Sequence, residues 1–300
     1  SLGTAQVASL TTGAVTTLSS DQIASLTTTQ VGALTTTQVA AVKADQVVAL
    51  TTEQVAKLST TQLSALTNTN VASLSTAQVN ALSTGQLTSL SVEQVKSLTA
   101  VAITALETDK LASLTTTQVA SLTADQMGAL TTSEASALTT TQVKVLGADQ
   151  IRALSTASVA ALTTGQLQAL TTTQVSELTN NTVASLTTNQ VAGLNTSQVQ
   201  VLADSVVTAL STSQLTALTT AQVGALTASQ VRALSTTEVA ALTTGQVKAL
   251  TATQVGALET ADMVAMSTDQ VSALNTTQVA ALTARSEERR VGKECLRLCR

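Results

Sequence analysis

The side chains able to do chemistry here are carboxylates, hydroxyls, primary amides and two thiols, and there is no histidine. The commonest general base and neutral metal ligand is therefore missing. Ser and Thr are abundant, yet no Ser stands in a G-x-S-x-G elbow or beside a candidate base. Carboxylates come singly. Asp21, Asp45, Glu53, Glu93, Asp109, Asp125, Asp149 and Asp269 all fall at one position of an eight-residue period, and acid–base work would need folding to bring two of them together. The Gly-rich, Asp-bearing nonapeptide of calcium-binding repeats is absent: Gly32, Gly128 and Gly165 do not all share one position, and Asp21 and Asp45 lie three periods apart. Neither G-x-x-x-x-G-K-[ST] nor G-x-G-x-x-G occurs, so nothing cradles phosphate. Cys295 and Cys299 stand at the far end of a chain otherwise free of cysteine, which excludes a disulfide framework or thiolate metal site in the rest. The residues predict no catalytic, cofactor-binding or metal-ligating position, no cofactor and no enzymatic activity.

What the sequence does build is a repeat. Leu recurs every eighth residue from Leu2 to Leu282, replaced only by Val42 and Met266. A second apolar site runs on the same period from Val7 to Val279, broken only by Ala135. No insertion or deletion shifts the register, so each octad should meet its neighbours in the same way.

One octad, Thr35-Thr36-Thr37-Gln38-Val39-Ala40-Ala41-Val42, carries its own instructions. Ser/Thr-x-x-Gln is a capping box: the hydroxyl accepts from the N3 amide while Gln reaches back to the N-cap amide. Leu at N′ and Val at N4 supply the hydrophobic staple. Charge placement agrees. The eight acids named above sit at N2, and six more lie at the cap, N1 or N3. Lys57, Lys96, Lys144, Arg152, Arg232 and Lys248 fall late in their octads, though Lys43 and Lys110 do not. Acid early and base late complements a helix dipole.

Three architectures compete for this pattern. In one continuous helix, eight residues at 100° each would rotate the apolar stripe by about 80° per octad, leaving no fixed face to bury. A β-solenoid suits the Val and Thr content, but strands want apolar residues two apart and here the gaps are three and five. The expected fold is all-α: a solenoid of very short helices, one per octad over residues 1–284, with a β-solenoid as the alternative. Leu and Val would line the inside. The small residue before each Leu would let adjacent turns approach, and the Thr caps would form a hydroxyl-rich outer stripe. One octad buries too little to fold alone, so stability must come from stacking.

Composition narrows the partners. With 44% hydrophobic and 11% charged residues the chain lacks the signature of disorder, and with no aromatic residue its core must be Leu, Val and Ala. The last sixteen residues hold six bases and three acids; the 8 bases and 15 acids left give the array a net charge near −7. Sparse negative charge argues against nucleic acid and anionic lipid. No apolar run is long enough to cross a bilayer. The chain opens in mid-repeat without Met, so the array is expected to be a piece of a longer one, truncated at both ends.

Stretches of one octad with the Leu before it, such as Leu34–Val42 and Leu274–Leu282, resemble the tandem arrays of very large bacterial repetitive surface or secreted proteins. The resemblance implies an adhesin-like or secreted protein at the cell surface or outside it. This segment would be an extended stalk or spacer whose partners are flanking domains of the same polypeptide. A binding module for extracellular glycan, protein or another surface (ice least of all) is the alternative. A binding face should gather its non-consensus residues in adjacent octads; the exceptions Ala14, Asn70, Ala102, Lys110, Glu134, Ser158, Thr182 and Val206 are dispersed. From Arg285 the repeat stops, and the run to Cys295 resembles an in-frame translation of a short-read sequencing adapter. Residues 285–300 are accordingly expected to be a non-native tail, and neither Cys is read as functional.

Overall fold

The N-terminal signals in each octad are obeyed one by one. In the computed structural model, which describes residues 3–282, short α-helices succeed one another from α1 (Thr4–Ala8) to α34 (Thr268–Ser272), one per octad and each four to six residues long. No strand occurs among the described residues. The expected tail at 285–300, with both cysteines, lies outside the described residues.

Many helices end directly in two extended residues; others, such as α3 (Ser20–Ala24), first add one residue, Ser25 (φ −80°, ψ −9°), that keeps helical angles. Leu50 (φ −61°, ψ 137°) and the next cap, Thr51 (φ −73°, ψ 160°), separate α6 (Ala44–Ala49) from α7 (Thr52–Lys57). The Leu50 amide closes the last turn by donating to the Val47 carbonyl at 3.2 Å, a tightened i→i−3 bond. Among the described residues none has positive φ, so the link between helices needs no glycine.

The described residues form two compact units, divided between Leu162 and Thr163. In unit 1 a helix packs against the third helix along the chain, as α5 (Thr36–Ala41) does against α8 (Thr60–Ala65). In unit 2 the same relation joins α24 (Thr188–Gly193) and α27 (Thr212–Ala217). Facing atoms on adjacent turns are 25 to 31 residues apart. Ser64 Oγ donates to the Ser89 carbonyl at 3.1 Å, and Gln38 Nε2 to the Val7 carbonyl at 2.9 Å. A turn therefore holds more than three octads and fewer than four, and each helix lies across a junction of the turn beneath it.

Burial follows the two apolar files. Val31, Val95, Leu82 and Leu87 are fully enclosed, and the Leu series from Leu58 to Leu258 stays almost as deep. At about 1.5–3 kcal/mol for each fully buried Val or Leu, these files are the main stabilising term. The position after the second apolar site is turned towards solvent, most fully at Val48 and Val264. The small residue before Leu, such as Ala65, is half-buried where turns approach.

Candidate functional site

The most organised polar feature of the molecule is its ladder of buried glutamines. Gln94 in unit 1 sits at N3 of α12 (Val92–Ser97). Its Oε1 accepts from the Ser91 amide at 2.9 Å, and its own amide donates to Ser91 Oγ at 3.2 Å. This is the capping box that the sequence predicts. The other end of the side chain does something more. Gln94 Nε2 donates to the carbonyls of Leu63 at 2.9 Å and Leu66 at 2.8 Å, 31 and 28 residues earlier. Unit 2 repeats the arrangement: Gln246 Oε1 takes the Thr243 amide at 2.9 Å, while Nε2 donates to Leu215 and Leu218 at 2.9 and 2.8 Å.

A primary amide has two N–H donors and one carbonyl, and here all three are used. They satisfy one orphan amide at a helix start, the last carbonyl region of an earlier helix, and the Leu carbonyl in the extended link after it. Gln94 and Gln246 are each only 2% exposed, a depth at which polar groups need partners. Sequence reasoning assigned Gln its cap and missed the cross-turn bonds. One signal was available: Glu completes a capping box as well as Gln does, yet Gln dominates at N3, which implies that the donor end matters.

Departures from Gln degrade the rung in ways their chemistry dictates. Asn70 is one methylene shorter; its Nδ2 reaches the Val42 carbonyl at 2.9 Å, but its helix lacks the reciprocal box. Ser158 Oγ reaches the Leu130 carbonyl at 2.9 Å. Thr182 turns back to the carbonyl of Thr179 at 2.7 Å. Lys110 donates Nζ to the carbonyl of Asn80 and pairs with Glu107 at 3.5 Å. Ala14, Ala102 and Val206 have no polar group to offer. Glu134 and Glu238 keep the cap half: their Oε2 atoms accept from the amides of Thr131 at 2.7 Å and Ser235 at 2.6 Å.

The N2 acids singled out by sequence, Asp21, Asp45, Glu53, Glu93, Asp109, Asp125, Asp149 and Asp269, all lie exposed in the first turn of their helices. Among the described residues no three acidic or thiol side chains gather as a metal site. Cap hydroxyls are exposed but committed, as Thr35 Oγ1 is to the Gln38 amide at 3.2 Å. No described helix is long and apolar enough to cross a membrane.

Comparison with known proteins places this pattern. No curated protein matches the chain. The profile of the ALTTAQ repeat matches residues 28–60, 55–92, 103–140, 143–180, 207–236, 229–260 and 255–285. Residues Ala217-Leu218-Thr219-Thr220-Ala221-Gln222 spell that motif outright: a small spacer, a core Leu, a capping Thr and a ladder Gln. With these matches spanning well over half of its length, the chain belongs to the ALTTAQ repeat family.

Proposed function

We propose that this segment is a non-catalytic spacer or stalk that holds other domains of the same polypeptide apart. The observation that carries the reading is the use made of the polar groups. Ladder amides and cap hydroxyls recur along the period and could have formed a binding or reacting surface. They are committed instead to internal hydrogen bonds such as those of Gln94 and Gln246. What remains outside is varied and thinly charged. Placement outside the cell rests on the likeness of the octads to arrays of large bacterial surface proteins. Nucleic acid is a poor partner for a net negative array.

Small-angle scattering on chains carrying one, two and three copies of residues 3–282 tests the spacer. The maximum dimension should grow by an equal increment with each added copy, as a quasi-one-dimensional array requires. A dimension that stops growing, because copies fold back on one another, would reject the stalk. Saturable binding of a single copy to a glycan or protein array would favour a recognition module instead.

A further inference from the structure

Three uncommon residues of the repeat meet at one place in unit 1. Within the array the ladder position holds Lys nowhere but at Lys110, and the position after the second apolar site holds Asn nowhere but at Asn80. A cap is Glu only at Glu107 and Glu259. Asn80 lies near the end of α10 (Thr76–Ala81), while Glu107 caps α14 (Thr108–Ser113) and Lys110 sits at its N3.

Folding sets the three in contact. Lys110 Nζ donates to the main-chain carbonyl of Asn80 and lies 3.4 Å from the side-chain Oδ1 of the same residue. On its other side Nζ is 3.5 Å from Glu107 Oε2. The Glu107 carboxylate is available for this contact because it makes no cap hydrogen bond to its own helix. The neighbouring rung crosses the same gap with a primary amide: Gln118 Nε2 donates to the Leu87 and Leu90 carbonyls, each at 2.9 Å. An amide nitrogen is inert there, whereas a lysine amine is a nucleophile.

An amine, the carbonyl carbon of a primary amide and a carboxylate that can carry protons are the parts of a transamidation. The main-chain hydrogen bond tethers Nζ beside the Asn80 side chain, and the carbon to be attacked, Cγ, is the one that bears Oδ1. Only side-chain rotation separates this contact from attack, and held reactants gain much of their rate from such placement. The Lys110 side chain is 18% exposed and Glu107 66%, so the amine is largely sheltered while the carboxylate borders the water that must carry a leaving group away.

We propose that Lys110 and Asn80 join through an isopeptide bond, made by the chain on itself once this turn has closed. Glu107 takes one proton from the Nζ ammonium, and the electron pair freed on Nζ adds to Asn80 Cγ. A second Nζ proton passes to Nδ2. The Cγ–Nδ2 bond then breaks with its electron pair on nitrogen, and ammonia leaves. Glu107 returns its proton to the departing ammonia, which enters solvent as ammonium. One secondary amide replaces one primary amide; nothing is oxidised or reduced, and no co-reactant is needed. The step runs once per chain, so it is a clip and not a turnover activity. It ties residues 30 apart in sequence across adjacent turns and restricts the opened chain as a disulfide does. The other cap glutamate, Glu259, has Asp262 at N3 and so meets no amine there.

Mass spectrometry of the full chain reads the bond directly. Wild type should weigh one ammonia less than its sequence. Trypsin should fail to cut after Lys110, and the peptide holding Asn80 should stay joined to the one holding Lys110. Lys110→Gln and Asn80→Ala restore residues common at those positions, so both should keep the full mass, give separate peptides and still protect the amides around Val79 and Leu111 from hydrogen exchange. Glu107→Gln keeps the side-chain shape but takes no proton, so E107Q should gain the link about a hundredfold more slowly, with the same protection. A wild-type chain of full mass overturns the proposal. So does an ammonia loss that persists in K110Q without joined peptides, which marks cyclisation of Asn80 onto its own backbone. Linking of E107Q as fast as wild type overturns the proton transfer assigned to Glu107.

Discussion

Replacing Gln94 by Ala isolates the contribution of one rung. The substitution removes three hydrogen bonds: Oε1 to the Ser91 amide, and Nε2 to the carbonyls of Leu63 and Leu66. At a net value near 1 kcal/mol per bond, the loss is about 3 kcal/mol, before any cost of the cavity left behind. Replacing Ser91 by Ala instead removes only the bond from the Gln94 amide to Ser91 Oγ, a cap worth about 1 kcal/mol. A long array does not unfold in a single step, so a global midpoint would blur the comparison. Native-state hydrogen exchange reads it locally. Opening around Ser91 and Leu66 should rise about a hundredfold in Q94A and about fivefold in S91A, at 1.4 kcal/mol per decade. Peptides around Gln214 serve as the internal control. If S91A opens the region as much as Q94A, the glutamine is only a cap and the cross-turn ladder is not a stabilising element.

Other substitutions test the packing. Gly85 on α11 (Thr84–Ser89) has nothing within 4 Å of an added Cβ, whereas Gly128 on α16 (Ala124–Ala129) would meet the Ala153 carbonyl at 3.1 Å. Gly85→Ala should therefore stabilise by about 0.5–1 kcal/mol through backbone entropy and helix propensity, and Gly128→Ala should gain less or lose. Chemical denaturation with a local exchange readout separates the two. Leu82→Ala, at a fully buried site, should cost about 2–5 kcal/mol by the same measurement. Glu93 with Lys96 and Asp149 with Arg152 pair at 3.5 and 3.1 Å on exposed surface, so E93Q and D149N should each shift stability by less than about 1 kcal/mol. Melting curves at low and high salt should then nearly superimpose.

The local half of the architecture is legible in the sequence because it is written within single octads. Thr35 and Gln38 form their box across three residues, and Leu and Val at N′ and N4 fix the way the chain enters. The gaps of three and five between apolar residues disfavour strands on the same local grounds, and the helices appear where those signals place them. The long-range half is not legible, since eight does not divide the turn. Nothing in the octad that holds Ser91 and Gln94 tells which earlier carbonyls Nε2 will meet. The answer depends on how far the two extended residues rotate each helix against the last. Glu238 shows the same limit. Read locally it is an acceptable capping-box residue, and only folding shows its second oxygen buried with no hydrogen-bond partner.

The fractional turn also explains how the array absorbs imperfect rungs. Were a turn a whole number of octads, each helix would rest on its own counterpart, and a lost side chain would release that pair alone. Here Gln54 grips the carbonyls of Ile23 and Leu26, and Gln62 grips those of Val31 and Leu34. The helix α4 (Thr28–Gly32) is thus held at the link that precedes it by one rung and at its own C-terminal end by the next. Losing one glutamine frees one end of a helix and leaves the other clamped. That arrangement lets Ala102 stand in the ladder without breaking the period, with Gln94 intact before it and Lys110 beyond it still reaching across to the Asn80 carbonyl. Single departures from Gln are tolerable because each helix is fastened twice, and the regular spacing of Leu and Val keeps the two fastenings in register.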